Sequence, residues 1–73
     1  MDLVRLVFDR ISVAGSPDSA GRAAIYAGCR AHVAAMHAAA AEREKALAEL
    51  EKVIRRQESQ ALYEESLERS RRG

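Results

Sequence analysis

Between residues 20 and 56 apolar side chains recur at alternating steps of three and four, the spacing that places them on one side of a helix. With Tyr26 as position a of a heptad, the a series runs Tyr26, Val33, Ala40, Leu47, Ile54, Ala61. The d series runs Cys29, Met36, Arg43, Leu50, Gln57, Glu64. The ladder holds from Tyr26 to Ile54 with Arg43 as its one polar intruder, and it decays afterwards. Ile25, Ala39, Ala46 and Val53 widen the stripe on the g side. The e side instead carries Arg30 and His37, then Glu44, Glu51, Glu58 and Glu65. Ala, Glu, Lys, Arg, Leu and Gln dominate this region, all good helix formers, and no proline follows Pro17. These signals predict one long amphipathic helix over 20–56 that continues as a charged helical extension, open to fraying, over 57–73. Its interaction seam would be Ile25, Tyr26, Cys29, Val33, Met36, Ala40, Leu47, Leu50, Val53 and Ile54.

Upstream, Leu3, Val4, Val7, Phe8 and Ile11 fit one face of a short helix over 1–13, with Asp2 near its positive end and Arg5 four residues before Asp9. Ala14-Gly15-Ser16-Pro17-Asp18-Ser19 is the one clustered turn signal, so 14–19 is predicted as a turn. Ser16 reads as the N-cap of the next helix, with Pro17 at its first position and Asp18 in its first turn. The small residues Ala24, Gly28, Ala31 and Ala35 would let another helix backbone approach closely. The fold class expected is therefore all-α: a short N-terminal helix, a turn and a long amphipathic helix, forming a helical hairpin or coiled coil. The apolar g shoulder suits packing against more than one neighbour, so an oligomeric or partner-bound state is expected.

Composition changes this picture by limiting the core. The 73 residues are 48% hydrophobic, but alanine supplies the largest share and only 4% are aromatic. A chain of this length buries only ~60% of its extended surface, which argues against a self-contained enzyme and for a partner. Twelve basic and eleven acidic side chains leave a net charge of +1, which removes the main electrostatic reason to expect nucleic acid. Arg5, Asp9 and Arg10 interrupt any apolar leader, and no run reaches the ~20 apolar residues of a membrane span. One cysteine, Cys29, makes no intrachain disulfide, and a cytoplasmic setting is the natural expectation.

Candidate chemistry is sparse. Cys29, His32 and Met36 share one helical face and carry the soft ligand types that thiophilic metals favour. The first and last of them are ~10 Å apart along a helix, so closing a site would need a second helix or chain. Cysteine and methionine at d positions serve equally as core fillers, and that is the preferred reading, with no metal and no cofactor expected. His32 and His37 lack a nucleophile with an orienting acid, so no catalytic residue is expected. Arg55, Arg56, Arg69, Arg71 and Arg72 give a weak nucleic-acid footprint among eight glutamates. The short N-terminal helix is a poor electrostatic match to acidic lipid, so no membrane surface is expected either. The function expected is a non-enzymatic protein–protein interaction module, such as an oligomerising adaptor, regulator or accessory subunit. It would act on itself or on a larger protein through the Tyr26–Ile54 seam. The alternatives are a small nucleic-acid-associated regulator and a metal or redox site at Cys29, His32 and Met36, and no small-molecule substrate is implied.

Overall fold

The computed structural model describes residues 2–72, so Met1 and Gly73, the outer ends of the expected first and last segments, lie outside the described residues. The described chain forms three helices: α1 (Leu3–Ala14), α2 (Ser19–Met36) and α3 (Ala40–Arg72). The fold is all-helical, as the periodicity implied. The single long helix is corrected to two, because the chain reverses at His37, Ala38 and Ala39 between position d at Met36 and position a at Ala40.

The reason lies in what the stripe can cover. A straight helix would leave Tyr26, Cys29, Val33, Leu50 and Ile54 in water. With α3 folded back along α2, these five and Val7 of α1 become one buried cluster. Each large apolar side chain buried contributes roughly 1.5–3 kcal/mol, whereas each backbone hydrogen bond given up to water at the break costs only ~0.5–1.5 kcal/mol. Burial wins, even though no glycine or proline marks the place. His37 is extended at φ −119°, ψ 109°. The Arg43 guanidinium donates to its carbonyl at 3.4 Å, so the polar intruder of the seam helps satisfy the end of α2.

α1 lies across both longer helices. Asp2 caps it, accepting from the Arg5 amide at 3.2 Å, and Gly15 ends it at φ +85°, a left-handed conformation open to glycine without strain. The N-cap of α2 is Asp18 rather than Ser16. Asp18 is extended, and its carboxylate accepts from the Gly21 amide at 2.8 Å. A charged acceptor at the positive end of the helix outcompetes a serine hydroxyl two residues earlier, and Pro17 is left outside the helix. α3 holds its 33 residues helical to Arg72, about 50 Å by the helical rise, which matches the 50 Å long axis of the molecule. No helix among the described residues is long and apolar enough to cross a membrane.

Candidate functional site

The heptad residues do not all end in one place. Tyr26, Cys29, Val33, Leu50 and Ile54 are buried, and Ile25, Leu47 and Val53 pack at the edge of the same cluster. Met36 is 52% exposed beside the reversal, and Ala40, first residue of α3, is exposed as well. Eight of the ten seam residues thus pack within one chain, and Met36 and Ala40 do not. On α1, Val7 is fully buried, with Leu3, Leu6 and Ile11 packed beside it, while Val4 and Phe8 are 57% and 58% exposed. The packing face is turned toward Leu6, which the sequence reading left out, and away from Val4 and Phe8. Ala24 and Gly28 meet α1 across a shallow apolar groove with Leu6, Val13 and Ile25, whereas Ala31 and Ala35 are exposed.

Cys29, His32 and Met36 diverge. Cys29 faces the core with no exposed surface, and His32 and Met36 are exposed. Burial pushes the Cys29 thiol up, keeping it protonated and unreactive at neutral pH. No group of three or more His, Cys, Asp or Glu among the described residues could hold a metal ion.

The most developed polar site went unforeseen. Arg22, a charged residue on the first turns of α2, is buried to 3% exposure. Its Nε donates to Glu58 at 2.9 Å and its Nη2 to the same carboxylate at 3.0 Å. Nη1 and Nη2 reach Glu65 at 3.0 and 3.2 Å, and Nη1 also donates to the Pro17 carbonyl at 3.1 Å. A guanidinium has five N–H groups, and these five bonds use every one. The Tyr26 hydroxyl adds a bond to Glu58 at 3.0 Å. Arg22 holds the Glu58 carboxyl below the ordinary range, against the effect of burial and with help from Tyr26. Burial and the adjacent carboxylate push Tyr26 up to about 12. Nearer the reversal, Arg30 grips Glu51 through Nε and Nη2, raising its own pKa and lowering that of Glu51. Both side chains of that pair are nearly half exposed, so it contributes little stability.

The e-position glutamates at 51, 58 and 65 are therefore a contact row against α2. Their seven-residue spacing opposite Arg22 and Arg30 was visible in the sequence, but it has meaning only once α2 and α3 are antiparallel. The site joins α2 to α3 and to the α1–α2 turn. The outward apolar side chains are the other feature, with Val13, Leu62, Tyr63 and Leu67 exposed besides Val4, Phe8 and Met36. Comparison with protein-family models, with curated proteins and with solved structures found no match to this chain.

Proposed function

We propose that the protein is a non-enzymatic helical interaction module that pairs with a second copy of itself through the outer face of α1. The observation that carries this reading is Val4 and Phe8, one turn apart and each more than half exposed, in a chain with few large apolar residues to spare. The heptad stripe is spent inside the bundle, so docking moves to this face. Arg5 and Asp9 flank it, also one turn apart and paired at 3.7 Å. In an antiparallel pairing of two α1 helices, Val4 of one copy meets Phe8 of the other and each Arg5 reaches the opposite Asp9, so the face complements itself. A net charge of +1 sets little repulsion against a second copy.

Complete burial of an exposed side chain is worth roughly 1.5–3 kcal/mol, so four partly covered ones gain at most ~12 kcal/mol; against an association cost of at least ~4 kcal/mol the dimer is weak, with a dissociation constant no tighter than ~1 μM and reaching ~1 mM when the net gain is ~4 kcal/mol. Sedimentation equilibrium across that range should show the mass rising reversibly from monomer to dimer. Phe8→Ser should hold the chain at monomer mass with its helical circular dichroism intact. A monomer at every concentration contradicts the proposal, and salt-sensitive binding of that monomer to random duplex DNA points instead to the exposed arginines of α3.

A further inference from the structure

The buried apolar residues of α3 end at Ile54. Beyond it only Gln57, Glu58, Ala61 and Glu65 are even half-buried, and the other described residues to Arg72 are exposed. Yet this stretch stays alongside the α1–α2 turn. The bonds that hold it there are those of Glu58 and Glu65 to Arg22, with Tyr26 on Glu58. Arg22 is itself tied to the turn through the Pro17 carbonyl.

We propose that Arg22, Glu58 and Glu65 form an ionic clasp that docks the C-terminal part of α3, from Gln57 onward, and releases it on acidification as a unit separate from the Val7–Leu50 core. Release would uncover Tyr26, Ile54 and Ile11, turning a closed bundle into one with an exposed apolar surface at this end. This inference concerns a different end of the molecule from the α1 face and does not depend on self-association.

The charges around the clasp favour such a response. One guanidinium faces two carboxylates, so the cluster is formally one negative charge in excess and uptake of a single proton costs it no net neutrality. From α2 the other titratable groups facing it are Asp18 and Tyr26. From α3 they are Glu64, Glu68 and Arg71, and α1 presents only the apolar Ile11 to the adjoining cleft. Glu58 sits below its ordinary value of 4.5 because of Arg22. Its contribution to docking is therefore complete above that value and is lost as the pH falls through its lower folded value. Apolar contacts at Val7, Cys29, Val33 and Leu50 have no such dependence.

Amide hydrogen exchange on the full chain, expressed as protection factors corrected for intrinsic rates, tests the clasp. At pH 7 Glu58→Gln with Glu65→Gln should lower protection across 58–70 by roughly ten- to a hundredfold, the loss expected for charge-assisted bonds, and leave Val33 and Leu50 unchanged. Lowering the pH of the natural chain from 7 until it has passed below the folded value of Glu58 should bring loss in the same segment, the end of α3 first and the core later. Because removing charges can upset the whole bundle, a second variant combines Arg22→Met, Glu58→Met and Glu65→Leu. It should keep the end docked and abolish the acid response. Uniform loss of protection along all three helices, no loss in the glutamine variant, or an undiminished acid response in the apolar variant would overturn the proposal.

Discussion

At the scale of single residues, two side chains define what this chain spends its limited apolar surface on. Leu50 has no exposed surface and lies in the one cluster shared by all three helices. Leu50→Ala removes the largest fully buried side chain, and the loss of transfer energy together with the cavity left behind should cost ~2–5 kcal/mol. Urea unfolding followed by circular dichroism measures this; a cost below ~1 kcal/mol, the range of surface substitutions, would mean that Leu50 is not a core residue. Arg22 is the counterpart among polar residues. Heptad position separates it from Arg30, which stays exposed: one heptad before Cys29, Arg22 falls at d on the seam, whereas Arg30 falls at e on its flank. The α1–α2 turn adds the Pro17 carbonyl as a partner for Arg22, a tertiary fact. Leu6 escaped the sequence reading for a related reason: Val4, Phe8 and Leu6 are equally apolar, and only the direction of the long helices decides which of them faces inward.

At the scale of elements, helix identity was legible and the helix count was not. The Gly-Ser-Pro-Asp cluster announced the first turn through residues with a physical preference for it. Gly15 takes φ +85°, and open space surrounds the position of an added Cβ. At ψ −118° it lies outside the left-handed helical well, so Gly15→Ala should destabilise through backbone strain alone, by about 1–3 kcal/mol. A melting temperature unchanged from the natural chain would show that the left-handed cap is not needed. The second turn, at His37–Ala39, is built from residues that favour helix, and a window of good propensity concealed it. Tertiary burial overrode local preference there. The clue was the stripe itself, which an isolated 50-residue helix could not cover but a reversal between two a/d positions could. The same reversal turned the glutamate row at 51, 58 and 65 from an apparently solvated shoulder into a set of contacts with α2.

At the scale of the whole molecule, the shortage of core implied by 73 alanine-rich residues is met largely inside the chain. The stripe that read as an interface between chains packs α2 against α3, and the large apolar side chains left exposed are Val4, Phe8 and Val13 on α1, Met36 at the end of α2, and Leu62, Tyr63 and Leu67 on α3. The central claim is that the heptad seam closes within one chain while contact between chains is confined to α1. An isotope-filtered NOE experiment on an equal mixture of labelled and unlabelled protein tests it most directly, since it separates contacts within a chain from contacts between chains. The account predicts that the methyl groups of Val33 and Leu50 show only intrachain contacts into the shared core, with interchain contacts restricted to the Val4 and Phe8 side chains. Interchain contacts among Val33, Leu50 and Ile54 would contradict it and return the seam to the role of an oligomer interface.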